Sequence, residues 1–299
     1  MKSVVVPAYA KVNLRLDILG RRTDGYHELR TIFQTISLHD TLALEVNHNA
    51  HIDLRIVGNS ALAGEPGRNN LVYRALDELR RELRLKQGVH AVLTKRIPVG
   101  RGLGGGSSDA AAALTALLRL TGKRIEAARL IEIASRLGAD VPFFLRGGRA
   151  LGVGRGDEIY PLPDVARRSV LVVSPGDLSV PTRDAYRWLA RRLTKRPDPS
   201  KLWRFCALCW SPLGGALSND FEAAVFQRHS RLVVIKRELL RQGAAEASLA
   251  GSGSAVFGIF RNPAKARRAA RAFPKDQVFV CSTLSRAEYR RKMGGSDFA

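Results

Sequence analysis

Apolar positions along this chain fall into short β-rich runs that alternate with longer stretches of helical spacing. Residues 3–19 (SVVVPAYAKVNLRLDIL) read as a first strand, and 41–57 hold two more, TLALEVN and HIDLRIV. Helical periodicity marks 70–86, and 89–97 (VHAVLTKRI) reads as a strand that runs into a glycine-rich loop. Helices are expected from about 107 to 120 and from about 125 to 137. The second half repeats the mixture: strand 169–174, helices 182–194 and 220–242, strands near 248 and over 255–260, helix 263–273 and strand 277–283. This order predicts an α+β fold. The stretch 194-TKRPDPSK-201 reads as a loop. Two domains are expected, 1–155 and 156–285, followed by a polar tail over 286–299. No internal repeat or low-complexity tract stands out.

Five of the seven residues from Gly100 to Gly106 are glycine, in 98-PVGRGLGGGSSDAAAAL-114. Glycine lets backbone N–H groups approach a ligand with no Cβ between them. Placed before a helix, such a loop offers several donors together with the positive end of the helix dipole, an arrangement suited to phosphate. Ser107 and Ser108 add hydroxyls that cap the helix or ligate magnesium. A Walker loop would end in Gly-Lys-Ser/Thr, and here Gly-Ser-Ser stands without lysine. A dinucleotide fingerprint is formally present at Gly100, Gly102 and Gly105, but it needs a strand ending in an acidic residue about 20 positions on, where 124–137 reads as helix. The third phosphate-loop pattern, P-x-x-x-G-L-G-[GS]-[GS]-S-[AS], fits 98–108 throughout.

Composition narrows the class. With 299 residues and 45% hydrophobic content the chain suits two packed domains. No apolar run reaches the roughly 18 residues of a membrane span. The opening MKSVVVPAYA carries only Val4 to Val6 as an apolar core, short of the roughly 7–15 residues of a signal peptide. Three cysteines, Cys206, Cys209 and Cys281, argue for buried thiols in a reducing compartment rather than for disulfides or a zinc site. The net charge of +22 favours anionic partners. Its basic residues, as in 80-RRELRLK-86, 190-ARRLTKR-196 and 265-KARRAARAF-273, mix with apolar ones at helical spacing, as on solvated helix faces. No zinc-finger, RNP or basic-zipper pattern supports specific nucleic-acid binding.

Other segments complete a picture. They are 7-PAYAKVNLRLDILGRRTDGYHEL-29, 68-RNNLVYRA-75, 137-LGADVPFFLRGG-148, 218-SNDFE-222 and 249-LAGSGSAVFG-258. Together with the loop they resemble the GHMP kinase family from residue 7 to about 260. The pairing of KVNL…DGYHEL with GGGSS and LGADVPFF is similar to the branch acting on a diphosphocytidyl alcohol. The resemblance implies a ribosomal-protein-like N-terminal domain with a ferredoxin-like C-terminal domain. It implies transfer of the γ-phosphoryl of ATP, with Mg²⁺, to the 2-hydroxyl of 4-diphosphocytidyl-2-C-methyl-D-erythritol, a step of non-mevalonate isoprenoid synthesis. A cytoplasmic monomer or homodimer is expected.

The resemblance also implies residue roles. Pro98, Gly100, Gly102, Leu103, Gly104, Gly105, Gly106, Ser107 and Ser108 match the nucleotide-phosphate loop, with Ser108 a candidate magnesium ligand. Asp140 matches the catalytic base and Lys11 the catalytic lysine. Taken alone, Asp140 reads equally as a helix cap or ion-pair partner, and Lys11 as any strand lysine. Asn13, Tyr26, His27, Asn70, Thr182 and Tyr186 match substrate positions. A cytosine needs a flat stacking partner and hydrogen bonds at its polar edge, which Tyr26 and His27 are suited to give. Asn69 precedes Asn70 and is able to exchange roles with it. Gly251, Ser252 and Gly253 match a second glycine motif, in which Ala250 stands where relatives carry Ser or Thr; a plain turn is the alternative. Lys95 and Arg96 read either as flanking the nucleotide or as solvated charges. Two other readings stay open: a relative with a different alcohol substrate, and a basic nucleic-acid binder on the same fold.

Overall fold

The computed structural model describes residues 2–47, 49–58, 67–190, 203, 205–206 and 217–294. Two β-sheets organise it. The larger is seeded by β1 (Ser3–Arg21) and β2 (His27–Asn47), which pair antiparallel along nearly their whole lengths. The order across this sheet is β3 (Ile52–Val57), β4 (Gly88–Thr94), β2, β1 and a short β8 (Ser218–Asn219). On β2 also lies β5 (Arg149–Val153), which pairs with β6 (Glu158–Pro161). The smaller sheet has the order β11 (Gln277–Ser282), β7 (Ser169–Ser174), β10 (Val256–Phe260), β9 (Glu246–Leu249).

Helices α1 (Leu71–Glu82), α2 (Gly105–Thr121), α3 (Ala127–Leu137) and α4 (Val141–Arg146) enclose the first core with one face of the larger sheet. The alanine run 110–113 of α2 is wholly buried. Small side chains there let α2 lie close to α1 and β1, which it contacts extensively. In the second half, α5 (Thr182–Ala190), α6 (Phe221–Phe226), α7 (Ser230–Arg241) and α8 (Pro263–Ala270) cover the smaller sheet. On α8, Ala266 and Ala269 are buried while Lys265, Arg267 and Arg268 face water, the solvated basic face expected for this segment.

A third apolar cluster joins the two sheets. Ala10, Val12, Ile36 and Leu38 of the larger sheet meet Val170, Val172, Phe257 and Cys281 of the smaller. Leu103, the one apolar side chain of the glycine loop, is 1% exposed within it. The core that docks the sheets therefore also anchors the loop.

Several elements differ from expectation. The strand β2 begins at His27, well before the expected 41. Its central residues are buried on both sides, so polar Thr31, Gln34 and Thr35 break the apolar pattern while sitting inside. The expected helix 220–242 is two helices, broken at 227–229. The boundary expected at 155/156 falls inside the β5–β6 hairpin, which belongs to the larger sheet. The expected polar tail holds a helix, α9 (Arg286–Met293), capped by Ser285 and returned to the first core. There Tyr289 is 2% exposed, donates its hydroxyl to the Phe144 carbonyl and packs on Tyr9. Of the three cysteines, Cys281 is buried and Cys206 half-buried. Cys209, the loop 194–201 and the last turn of the expected helix 182–194 lie outside the described residues.

Candidate active site

The glycine loop is built from both of its ends. Gly102 and Gly104 take left-handed φ values of +80° and +73°. At Gly102 a Cβ would stand 1.8 Å from the Ala250 carbonyl oxygen, so only glycine fits there. Gly104 is the cap residue of α2, and the Leu103 carbonyl accepts the Lys11 N–H at 3.0 Å. The first turn of α2 thus opens beside Lys11, with its N–H groups at the positive end of a 17-residue helix.

Lys11 and Asn13 sit two apart on β1 and point to one side, as strand geometry requires. Lys11 Nζ donates to Asn13 Oδ1 at 2.7 Å, and Asn13 Nδ2 donates to Thr31 Oγ1 at 2.8 Å. Asp140 Oδ2 lies 3.5 Å from Lys11 Nζ. Asp140 occupies the cap position of α4, yet its side chain caps nothing. Its carboxylate, about one-third exposed, is turned to Lys11 while that lysine is 5% exposed.

The second glycine loop closes the other wall. The Arg101 carbonyl accepts the Ala255 N–H at 3.2 Å, and Arg101 Nη1 donates to Ser254 Oγ at 2.8 Å. Asn219 of β8 donates to the carbonyls of Leu249 and Gly251 at 2.9 and 2.7 Å, holding this loop from beneath. Ser252 Oγ meets Thr182 Oγ1 at 3.0 Å where α5 begins. Ala250 is fully buried in the intersheet core, so a hydroxyl is absent from a spot that faces no solvent.

One turn along α5 from Thr182, Tyr186 stacks on His27 with ring centres 4.5 Å apart and planes 24° apart. Tyr26 lies instead against Arg155, whose guanidinium is 4.9 Å from the ring centre. The two aromatic faces expected around one base therefore carry separate partners, His27 on Tyr186 and Arg155 on Tyr26. Burial, then the nearby Arg21, lowers the His27 pKa from its ordinary value, so the ring is neutral near pH 7. Burial and Asp140 push the Tyr186 hydroxyl up to about 12.

These walls surround one cleft of about 1330 Å³. It gathers Lys11, Asn13, Asp140, Tyr26, His27, Asn70, Thr182, Tyr186, Gly251 and Ser252, with Pro98, Gly100 and the run from Gly102 to Ser107. Two expected residues do not reach its surface. Ser108 is 1% exposed, and the Gly253 N–H turns back to the Ala250 carbonyl. Asn70 lines the cleft but its Oδ1 accepts the Val72 N–H at 2.8 Å and caps α1, a structural duty of its own. Five arginines and two lysines line the cleft against two aspartates, a field suited to polyanions.

A buried cluster beneath the loop escaped the sequence reading. Lys95, expected as a nucleotide flank or a solvated charge, is 6% exposed and donates to Asp40 and, at 2.6 Å, to Asp109. Burial pushes the Asp109 carboxyl up to about 7, against the pull of Lys95. No motif announces Asp40; only its place at the end of the β2–β4 ladder brings it here. Asp109 directly follows the paired serines, and that adjacency was the available signal.

Comparison with known proteins agrees with this architecture. The GHMP kinases N terminal domain matches residues 70–148, and the GHMP kinases C terminal domain matches 202–278. A protein of Solibacter usitatus described as 4-diphosphocytidyl-2-C-methyl-D-erythritol kinase is 47% identical over 292 residues, 95% of this chain and 89% of that protein. The chain belongs to the GHMP kinase family. A relative of the same description from Citrifermentans bemidjiense is 39% identical, covering 95% of this chain and 99% of its own. A crystal structure described as 4-(cytidine 5'-diphospho)-2C-methyl-D-erythritol kinase superposes with a TM-score of 0.78 at 35% identity, over 94% of this chain and 99% of that one. A homoserine kinase from Cytophaga hutchinsonii at 20% identity, TM-score 0.70, shares the fold. The cleft draws on both matched ranges, with Asn70 and Asp140 from the first and Phe221, Gly251 and Ser252 from the second.

Among the described residues, no three His, Cys, Asp or Glu side chains gather as a metal site, and no helix is long and apolar enough to cross a membrane. Ser108 Oγ and Asp109 Oδ1 are buried without a hydrogen-bond partner in the first turns of α2. Magnesium that rides on nucleotide phosphates needs only one or two protein ligands; Asp109 lines the cleft and fits that need, whereas Ser108 does not reach it.

Proposed function

We propose that the protein transfers the γ-phosphoryl group of ATP to the 2-hydroxyl of 4-diphosphocytidyl-2-C-methyl-D-erythritol, giving ADP and the 2-phosphate. The observation that carries this reading is the Lys11–Asp140 pair, set between the α2 N-terminus and the aromatic end of a single basic cleft. Relatives with that described activity, up to 47% identical over 95% of the chain, support the choice of alcohol.

Each residue then has a task. The loop from Gly100 to Ser107 receives the nucleotide phosphates on backbone N–H groups. Asp140 orients the hydroxyl and accepts its proton, because its carboxylate is spent on no cap. Lys11, 3.5 Å from that carboxylate, stabilises charge on the transferred oxygens; Asn13 holds the lysine in place. Mg²⁺ riding on the nucleotide phosphates, with Asp109 Oδ1 as its protein oxygen, would supply charge neutralisation there. His27, Tyr186 and Tyr26, which line that end of the cleft, hold the cytosine by stacking and by hydrogen bonds to its polar edge. Transfer is direct and in line, with no phospho-enzyme. The protein acts as a soluble cytoplasmic enzyme on a small molecule.

The test is ADP release from Mg-ATP with the diphosphocytidyl alcohol, mevalonate, homoserine or no acceptor. Turnover with the cytidyl alcohol alone is expected. Turnover with mevalonate or homoserine, or none with the cytidyl alcohol, would reject the assignment.

A further inference from the structure

We propose that Asp40 is a positioning residue for the phosphate loop, fixing where the strand before it ends and, through Lys95, where the helix after it begins. This rests on the reading of the cleft as a kinase site.

The loop needs such a device. Gly100, Gly102 and Gly104 all have positive φ, and the segment from 95 to 104 contains no helix or strand. Glycine backbone is costly to order, so donors aimed at phosphate must be held from outside. Asp40 stands one residue beyond the last β2–β4 pair, Thr41 with Thr94. At that point the ladder stops, and the Asp40 carboxylate continues it. Its Oδ1 accepts the N–H groups of Arg96 and Ile97, the latter at 2.8 Å. Its Oδ2 accepts Lys95 Nζ, which reaches on to Asp109 Oδ2 in α2. Lys95 Nζ also lies 3.4 Å from where a Gly105 Cβ would stand, directly under the first residue of α2. One buried bridge thus spans both ends of the loop.

Burial separates positioning from stability. Asp40 is wholly buried, with Lys95 and Asp109 at 6% and 3% exposure. Buried ion networks are often matched or bettered in stability by apolar groups of similar shape, so stability alone does not call for one. Lys95 and Asp109 reach the cleft surface; Asp40 does not, and can act only through its partners.

The test is steady-state kinetics of wild type, Asp40→Asn and Asp40→Leu, varying ATP and the cytidyl alcohol in turn. Asparagine keeps an acceptor for the Arg96 and Ile97 N–H groups but removes the charge from Lys95; leucine removes both. For Asp40→Asn, KM for ATP is expected to rise by about threefold to tenfold, with KM for the alcohol within about twofold, the scale of a slightly misplaced binding group. Asp40→Leu should lose more than Asp40→Asn on the ATP side, so that asparagine counts as partial rescue. The proposal is overturned if Asp40→Asn leaves KM for ATP unchanged, or raises both KM values alike, whether or not Asp40→Leu folds. Absence of turnover in wild type would instead overturn the kinase reading itself.

Discussion

Gly102→Ala puts the meeting of the two glycine loops to the test. The added Cβ would stand 1.8 Å from the Ala250 oxygen, 2.7 Å from its carbonyl carbon and 3.1 Å from the Gly253 nitrogen, all backbone atoms. Ordinary contact begins at 3.4 Å, so the loops must part by about 1.6 Å. The φ of +80° adds strain of about 1–2 kcal/mol for a side chain in that region. A displacement of about 1 Å in a positioned group costs roughly 10²-fold in rate. Gly102→Ala is therefore expected to lower kcat by about 10²-fold in the ADP-release assay while circular dichroism still reports a folded chain. Gly20→Ala is the control. Its Cβ would meet nothing within 4 Å, its φ is not in the left-handed region, and it lies outside the cleft. That variant should stay within about twofold of wild type. A Gly102→Ala enzyme with near-normal kcat and KM for ATP would refute the placement of the loops against each other.

Three further outcomes follow from the same structure. Asp140→Asn should lose roughly 10²-fold or more in kcat at unchanged thermal stability, the usual scale for a positioned base; near-full activity would remove Asp140 from proton transfer. The His27 pKa is depressed below its ordinary 6.5, so the unfolded chain binds that proton first. Stability should thus hold above pH 6.5 and decline as pH falls below it, and His27→Gln should abolish that part of the decline in urea titrations from pH 5 to 7.5. Tyr289→Ala removes a buried ring and a hydroxyl bond to Phe144, and should cost about 3–5 kcal/mol of unfolding free energy with both KM values unchanged. Intact stability would mean that α9 does not seal the first core.

The glycine loop was legible because its pattern is written locally: glycines, then serines, then a helix-forming run. Most regular elements were legible for the same reason, since β7, β10 and α3 lie where periodicity puts them. The front half of β2 was not, because a strand buried on both faces loses its alternation and here holds polar residues inside. The short α4 was hidden behind Pro142 and two phenylalanines that read only as apolar. The pairing of Lys11 with Asp140 needed family resemblance to foresee, as the two lie 129 residues apart and meet through tertiary packing. Asp40 gave no signal at all, since its role depends on where a ladder stops. The three rings show the opposite limit: Tyr26, His27 and Tyr186 were expected around one site and all line the cleft, but which ring covers which is a matter of packing alone.

The return of α9 to the first core bears on how this chain comes into being. The Tyr289 ring fills the space over Gly147, where a Cβ would stand 2.3 Å from it, and Arg286 donates to the carbonyls of Arg149 and Leu162. The half of the molecule translated first is therefore closed by a helix translated after the whole of the second half. Until residue 293 has left the ribosome, Tyr9 and Phe144 lack their cover, and β1 lacks its edge partner β8 until residue 219 has done so. The glycine loop, whose Arg101 carbonyl accepts the Ala255 N–H, likewise lacks that partner until residue 255 has emerged.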